Sequence, residues 1–399
     1  MINIFFIVHN HSGCKTYANE LIANLSHNRK LNIIMVYLQI STIYEFTIEK
    51  KMGYTEVLIP MTIEKSDDYM YFQRAAQLIY IHFQKFTNPI CHINTCDHYL
   101  FAIAFKKLFS CQLVFTLHYL ENFYYYLDIN QLTKQDIKIT GNESLGKLIK
   151  IADHIICVTE FGKRILIKFY KVSNSKITTI YNGKANPKKF ISNERRKRLK
   201  QNLGYNADEK ILLYAGLLEP RKGIDKLLKS FILVQKHTPY VRLILVGPGD
   251  FDYYLPISQK CPGRISFTGK LDKNTLELFY QIADIGIIPS QFEQCSYVAI
   301  EMMQYGLPLI ISDTPGLNEL INHQQTGFLC KVKSKNDGIL SLDIDEFDLA
   351  EKINMLLENP ILASRLAKRA QIECFRKFSL ENMGNEVLSI YQRLVLTIN

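Results

Sequence analysis

Residues 285–319, IGIIPSQFEQCSYVAIEMMQYGLPLIISDTPGLNE, predict in order a strand, a polar loop, a helix and a second strand. The apolar runs 285–288 and 309–311 are short and continuous, which is typical of strands buried on both faces of a parallel sheet. A helix that begins near Ser296 lies between them. This strand–helix–strand arrangement indicates an α/β fold with right-handed crossovers.

The same alternation extends over the whole chain. Further apolar runs lie at residues 4–8, 33–38, 90–94, 113–117, 154–158, 211–215, 242–246 and 265–267. Each run is followed by a longer segment, often with the periodicity of an amphipathic helix, such as residues 17–25. We therefore expect a doubly wound, Rossmann-like parallel sheet in each half of the chain.

A turn signal at Asn182 and Gly183, followed by the polar stretch 193–201, separates the two halves. A final helical pattern follows Ser379, a residue type suited to the N-cap position. We predict an N-terminal domain at residues 1–188, a C-terminal domain at residues 189–378 and a C-terminal helical segment at residues 379–399.

The composition supports two packed cores, because 47% of the 399 residues are hydrophobic and 22% are charged. The N-terminal MINIFFIV lacks a basic region and a cleavage site, so it predicts a buried strand rather than a signal peptide. No apolar run approaches the roughly 20 residues that a membrane span needs. Nine scattered cysteines predict reduced thiols, and we therefore expect a cytoplasmic protein.

The net charge of +10 is unevenly placed along the chain. Residues 1–190 hold 22 basic and 14 acidic side chains, whereas residues 191–399 hold 26 and 24. A solvated surface explains such an excess, and so does attraction to a lipid surface or to a phosphate-bearing acceptor. Peripheral contact with an anionic membrane is therefore an open hypothesis.

Two carboxylates bracket the predicted helix start at Ser296. Glu293 lies in the loop before the helix, and Glu301 lies just over one turn into it. The free N–H groups of a helix N-terminus suit a phosphate, and carboxylates accept hydrogen bonds from sugar hydroxyls. The alternative interpretation is a pair of solvated glutamates beside an ordinary helix.

A second candidate segment, LLYAGLLEPRKG at residues 212–223, predicts a strand, a turn at Gly216 and a basic pair, Arg221 and Lys222. Clustered cations neutralise the charge that grows on a departing diphosphate. An exposed basic turn without a ligand is the alternative.

These segments resemble the donor-site signature of the family 4 retaining glycosyltransferases of the GT-B fold. The matching residues are Pro289, Ser290, Glu293, Glu301, Met303, Gly306, Leu307, Pro308, Ser312, Gly316 and Glu319. Looser matches reach from Gly13 to Phe328. The resemblance implies two Rossmann-like domains facing a central cleft, with the nucleotide on the C-terminal domain and the last helix crossing back to the first.

The resemblance also implies roles for single residues. Glu293 contacts the transferred sugar, Glu301 holds the ribose, and Lys222 binds the diphosphate. The family has an arginine where this chain has Leu217, and we expect Arg221 to replace it. The chain also departs from the small residues that usually follow the first glutamate, since residues 294–296 are Gln, Cys and Ser.

Further donor contacts are implied along both halves. Gly13 follows the first strand, where the family has a Gly-rich loop that lets the backbone approach phosphates. His118 ends a strand matching the family's Thr-x-His and is expected near the donor sugar or acceptor; a structural histidine is the alternative. The other implied donor contacts are Gly216, Gly269, Leu271, Tyr297 and Val298.

The resemblance implies a same-face displacement in which the departing phosphate oxygen takes the acceptor proton. It implies no metal and no cofactor other than the nucleotide-diphosphate sugar substrate. The expected acceptor is a saccharide or a lipid-linked molecule in surface polysaccharide or glycoconjugate synthesis, and we expect no nucleic acid partner. A catalytically silent scaffold subunit and a sugar-nucleotide epimerase on the same fold remain alternatives.

Three further patterns contain residue types that occur in metal or sugar sites. Asp250 and Asp252 imitate a metal-binding Asp-x-Asp, and Cys91 with His92 supplies zinc-type side chains, but neither setting supports a metal. Neighbouring residues such as Cys91 and His92 point to opposite faces of a strand, which favours a structural role. The aromatic run 123–127 predicts either a packed helix or a lining of the acceptor cleft.

Overall fold

The computed structural model describes residues 1–8, 12–61, 68–120, 143–187, 191–336 and 340–396. Its described residues form two compact units. The first unit comprises the residues up to Ala185 together with those from Ser379 onward, and the second comprises Asn186–Phe378. The aromatic run 123–127 and His11 lie outside the described residues.

The first unit contains an eight-stranded sheet in the order β3-β4-β2-β1-β5-β6-β7-β8. Its strands are β1 (Ile2–Val8), β2 (Leu31–Ile40), β3 (Thr47–Lys51), β4 (Tyr54–Pro60), β5 (Ile90–Ile93), β6 (Gln112–Leu117), β7 (His154–Cys157) and β8 (Ile177–Thr179). Strand β3 runs antiparallel to β4, and the other neighbouring strands run parallel.

Helices connect these strands and cover the sheet. They are α1 (Ser12–Leu25), α2 (Asp68–Phe83), α3 (Tyr99–Leu108), α4 (Glu143–Ile151) and α5 (Glu160–Tyr170). Phe5 of β1 is fully buried, and its ring packs against Phe83, Phe105 and Phe109 at centroid distances of 5.1–5.5 Å. Strand β1 is therefore the centre of the first core.

The second unit contains a six-stranded parallel sheet in the order β11-β10-β9-β12-β13-β14. Its strands are β9 (Lys210–Ala215), β10 (Val241–Val246), β11 (Ile265–Gly269), β12 (Ile285–Ile288), β13 (Leu309–Ser312) and β14 (Phe328–Cys330). The antiparallel pair β15 (Val332–Asn336) and β16 (Leu340–Ile344) follows.

The helices of the second unit are α6 (Asn193–Asn202), α7 (Ile224–His237), α8 (Phe251–Ser258), α9 (Lys273–Ile282), α10 (Tyr297–Gln304), α11 (Glu346–Glu358) and α12 (Pro360–Lys377). Phe231 of α7 is fully buried in a cluster with Leu212, Leu243 and Ile285. Strand order reverses between β9 and β12, because β10 pairs with one side of β9 and β12 with the other. Ligands of open α/β sheets bind at the carboxyl ends of strands at such a switch point.

The last helix, α13 (Leu380–Leu396), belongs to the first unit. Ser379 caps it as predicted, because its Oγ accepts a hydrogen bond from Asn382 N at 3.1 Å. Gly384 lies against Asn24 of α1 so closely that a Cβ there would be 1.9 Å from Asn24 Oδ1. Helix α13 is therefore packed directly on α1.

The predicted α/β class with two parallel sheets is confirmed, and every apolar run that predicted a strand forms one. The sequence patterns missed β3, β4, β8 and β14–β16. Strand β3 is mostly exposed and reads TIEKK, whereas β8 and β14 have three residues each, too few for a periodicity. Within the described ranges, no helix combines the length and apolarity that crossing a bilayer requires.

Candidate functional site

The two candidate segments of the second unit meet at the carboxyl ends of β9 and β12. Gly223, which ends the basic turn, has φ +68°, and a Cβ there would lie 2.0 Å from Pro289 O. Gln291 N donates a hydrogen bond to Arg221 O at 2.9 Å. Only glycine fits at position 223, because any side chain would collide with the backbone that follows β12.

Lys222 and Glu293 form an ion pair at this junction. Lys222 Nζ lies 2.6 Å from Glu293 Oε1, and the two side chains are 19% and 26% exposed. The backbone of Glu293 is held from the other side by Gly316, whose φ is +84° and whose Cβ, if present, would lie 2.6 Å from Glu293 O. The sequence therefore folds a cation and a carboxylate into one partly buried site.

Helix α10 begins beside this pair, as the sequence predicted. Ser296 is its N-cap, and Ser296 Oγ accepts a hydrogen bond from Ala299 N at 3.4 Å. Glu301 lies just over one turn into the helix, and its Oε2 accepts a hydrogen bond from Tyr280 Oη at 2.8 Å. Burial, together with the charge of Glu301, raises the pKa of Tyr280, so its hydroxyl stays protonated and donates.

Tyr280 is a site residue that sequence reasoning missed. It lies near the end of α9, 21 residues before Glu301, within an amphipathic pattern that predicts only a buried ring. No local motif distinguishes a tyrosine that fills a core from one that fixes a carboxylate.

Arg221 and Leu217, which lie in the same loop as Lys222, make different contacts from Lys222. Arg221 Nε donates to Glu219 Oε2 at 2.7 Å, and the Arg221 side chain is 57% exposed. Leu217, at the position where an arginine was expected from the resemblance, is 41% exposed, and its carbonyl accepts a hydrogen bond from Tyr214 Oη at 2.7 Å. The structure thus brings Lys222 to Glu293 and pairs Arg221 with Glu219.

The remaining predicted positions of the second unit also lie at carboxyl ends of strands or at the helix start. Gly216 follows β9, and Gly269 ends β11 with its carbonyl accepting from Gly247 N at 2.9 Å. Leu271 is half-buried just beyond β11. Tyr297 and Val298 are half-buried in the first turn of α10.

In the first unit, His118 follows β6. Burial lowers the pKa of His118 to about 3, so the imidazole is neutral at physiological pH. Its ring packs edge-on against Tyr17 at a centroid distance of 4.5 Å. Nε2 is buried and has no hydrogen-bond partner among the described residues. Gly13, in the first turn of α1, is exposed.

The Cys91–His92 pattern has a structural explanation. His92 is fully buried, with Nδ1 at 2.5 Å from Tyr391 Oη and Nε2 at 2.6 Å from Thr116 Oγ1. Burial lowers the pKa of His92 to about 3, and His118 contributes to the lowering. Both ring nitrogens are thus engaged by hydroxyl groups, and the ring links β5 to α13.

The Asp-x-Asp pattern of Asp250 and Asp252 also has a structural explanation. Asp250 caps α8, and its carboxylate accepts a hydrogen bond from Tyr253 N at 3.4 Å. Among the described residues, no group of three or more His, Cys, Asp or Glu side chains is arranged to hold a metal ion.

Each half of the chain matches a family model of glycosyltransferases. The family model described as "Glycosyl transferases group 1" matches residues 195–373, and that described as "Glycosyltransferase Family 4" matches residues 51–183. An uncharacterized glycosyltransferase of Methanocaldococcus jannaschii is 27% identical over 245 residues, covering 60% of this chain and 59% of the relative.

The N-acetyl-alpha-D-glucosaminyl L-malate synthase of Bacillus anthracis is 25% identical over 270 residues, covering 66% of this chain and 67% of the relative. The chain spans between about two fifths and two thirds of the length of the curated relatives it matches. The solved structure of sucrose-phosphate synthase from Thermosynechococcus elongatus has a TM-score of 0.79 at 20% identity and full coverage of both chains, which shows a shared fold. The chain belongs to the family 4 glycosyltransferases, the group 1 glycosyl transferases of the GT-B fold.

Proposed function

We propose that this chain is a retaining glycosyltransferase that moves a sugar from a nucleotide-diphosphate sugar to a saccharide or lipid-linked acceptor. The observation that carries the proposal is the ion pair of Lys222 and Glu293 beside the N-terminus of α10. A cation, a carboxylate and a helix N-terminus at a topological switch point together suit a sugar diphosphate.

The donor-binding roles follow from this arrangement. Lys222 and Arg221 neutralise the charge that grows on the departing diphosphate. Glu293 accepts hydrogen bonds from hydroxyls of the transferred sugar, and Glu301 accepts those of the ribose. Tyr280 supports the role of Glu301, because its hydroxyl donates to Oε2 and so fixes the orientation of the carboxylate.

The proposed reaction is a displacement on one face of the sugar. The bond between the anomeric carbon and the phosphate oxygen breaks, and the acceptor oxygen bonds to the same carbon from the same face. The departing phosphate oxygen takes the proton of the acceptor hydroxyl, so charge and atoms balance. The proposal assigns the neutralising charge to Lys222 and Arg221 and invokes no metal ion.

We propose residues 1–188 as the acceptor domain, residues 189–378 as the donor domain and residues 379–399 as the helical segment that completes the first. In this scheme neutral His118 offers Nε2 to the sugar or the acceptor. The basic excess of residues 1–190 supports an acceptor that carries phosphate or lies at an anionic lipid surface.

A silent binding subunit is the second candidate. The observation that favours it is Arg221, which pairs with Glu219 while Leu217 occupies the usual arginine position. Calorimetry with nucleoside diphosphates separates the two candidates, because a silent subunit without a donor site would show no binding at millimolar concentration. An epimerase, in contrast, would convert a nucleotide sugar in the absence of any acceptor.

The experiment that tests the transferase is a screen of nucleotide sugars by thermal shift, followed by turnover of the stabilising donor. Lys222→Ala should cost about 2–4 kcal/mol of transition-state stabilisation, since its contact strengthens as leaving-group charge develops. Lys229→Ala is the matched control, because Lys229 is an exposed lysine on α7 paired with Asp225. Equal turnover of both variants and the wild type would refute the site.

A further inference from the structure

A cavity of about 440 Å³ lies in the second unit, at the edge of the sheet opposite to the candidate site. Among its lining residues, Lys210 begins β9, Asp284 precedes β12 and Pro308 precedes β13. These are the amino ends of parallel strands, whereas Lys222 and Glu293 follow carboxyl ends. Its volume lies within the range of small-molecule sites, roughly 300–1,000 Å³.

Around Asp284, a lining residue of the cavity, basic side chains outnumber acidic ones. Asp284 is surrounded by Arg196 at 3.1 Å, Lys200 at 2.9 Å and Lys210 at 3.6 Å. One carboxylate therefore neutralises only part of the charge of three cations. It also accepts a hydrogen bond from Ile211 N at 2.9 Å. Burial lowers the pKa of Lys200, Asp284 acts against this lowering, and Arg196 and Lys210 add to it.

The remaining lining adds a further cation and an apolar surface. Lys368 of α12 lines the cavity, and its side chain is exposed. The aromatic and aliphatic lining residues are Tyr280, Tyr305, Leu307, Pro308, Leu356 and Ala367. A ligand that matches both surfaces combines an anionic group with a ring or another apolar part.

The cavity is connected to the candidate site by two routes through α10. Tyr280 lines the cavity, and its hydroxyl donates to Glu301 Oε2 at 2.8 Å. Its ring packs on Tyr305 at 5.4 Å, directly after the last residue of α10. Gln371, another lining residue, donates to Gln304 O at 2.7 Å. A ligand that fixes Tyr280 and Tyr305 therefore also fixes the carboxylate of Glu301.

We propose that this cavity binds a phosphate monoester carrying a ring or apolar group, and that its occupancy strengthens nucleotide binding at the candidate site through Tyr280 and Glu301. The coupling, though not the cavity itself, rests on the proposed function, in which Glu301 holds the ribose. Coupling between two sites requires a physical element that both ligands bias, and the Tyr280–Glu301 hydrogen bond is that element.

The binding arm of the test uses phenyl phosphate as the probe, with benzyl alcohol as the uncharged comparison, in calorimetry on the full chain. Lys368→Glu should weaken phenyl phosphate binding at least fivefold, because it replaces an attraction with a repulsion. Arg369→Glu is the matched control: it makes the same charge change at the next exposed position of α12, and Arg369 does not line the cavity. Melting curves check that both variants fold.

The coupling arm measures the affinity for UDP with and without saturating phenyl phosphate. UDP should bind about fivefold more tightly with phenyl phosphate present, and Tyr280→Phe should abolish this gain while still binding phenyl phosphate. Competition for the diphosphate position would instead weaken UDP binding and would count against the coupling.

Phenyl phosphate binding that is absent, or equal in wild type and Lys368→Glu, would overturn the cavity site. Failure of the proposed function is distinguishable, because nucleoside diphosphates would then not bind at all while the binding arm still reports on the cavity.

Discussion

Lys222 Nζ lies 2.6 Å from Glu293 Oε1, although 71 residues separate them in the chain. The contact forms because β9 and β12 are neighbours in the sheet, so the loops after them leave the same edge. Gly223 and Pro289 then bring the two loops into van der Waals contact. The ion pair is the point at which the two sequence motifs become one site.

The ion pair should matter more for turnover than for stability. Both side chains are partly exposed, so we expect Lys222→Met and Glu293→Gln each to change the free energy of unfolding by only about 1 kcal/mol. Each should lower kcat/KM about 100-fold, because the transition state carries more charge than the ground state. Urea unfolding and steady-state kinetics of both single variants and the double variant check this. A stability loss as large as the loss of activity would point to a structural pair.

Gly223→Ala should disrupt the site through the backbone. The added Cβ would lie 2.0 Å from Pro289 O at a φ of +68°, so the two loops must separate. We expect a loss of about 1–3 kcal/mol in the free energy of unfolding together with loss of donor binding. Gly204→Ala is the comparison, since Gly204 also has a positive φ, +83°, but no atom lies within 4 Å of its added Cβ. Equal effects of the two substitutions would contradict the steric argument.

Tyr280→Phe should weaken nucleotide binding without unfolding the second unit. The substitution keeps the buried ring and removes the hydroxyl that donates to Glu301 Oε2. We expect UDP binding to weaken by about 1 kcal/mol, the typical net value of one hydrogen bond. Calorimetry measures it, with Tyr254→Phe as the control because Tyr254 Oη has no hydrogen-bond partner among the described residues. An unchanged UDP affinity in Tyr280→Phe would remove Tyr280 from the site.

Leu217→Arg tests which arginine serves the diphosphate. Leu217 is 41% exposed, so a longer side chain is accommodated without loss of packing. We expect Arg221→Ala to lower turnover in the wild-type background and to have a smaller effect in the Leu217→Arg background. Turnover of the four proteins measures the interaction. Purely additive effects would show that the two positions act independently.

The buried histidines should make the first unit sensitive to acid. Burial lowers the pKa of His92 from the usual 6.5 to about 3, so the unfolded chain binds a proton that the folded chain does not. Stability is therefore complete above pH 6.5 and falls as pH drops toward 3. From these two pKa values, His92 alone should cost about 2 kcal/mol at pH 5.

NMR of the imidazole protons checks this directly. The signals of His92 and His118 should not shift between pH 8 and pH 4.5, because burial lowers the pKa of both imidazoles to about 3. A midpoint near pH 6.5 for His92 would contradict its buried, doubly hydrogen-bonded position.

Much of the second unit follows from short-range patterns. The strands β9, β12 and β13 are continuous apolar runs, and the start of α10 at Ser296 is marked by its cap. Burial on both faces of a parallel sheet leaves this signature in adjacent residues. Strand β3, in contrast, is an exposed edge strand, and an edge has no such signature.

The sequence alone determined the α/β class, the order of the elements and the residue types available for chemistry, because periodicity, caps and turn residues act between near neighbours. Only the tertiary structure decided which of these residues meet. The contacts of Lys222 with Glu293, Tyr280 with Glu301 and His92 with Tyr391 depend on strand order and on the path of α13. Such pairings form across tens to hundreds of residues, where no local pattern specifies the partner.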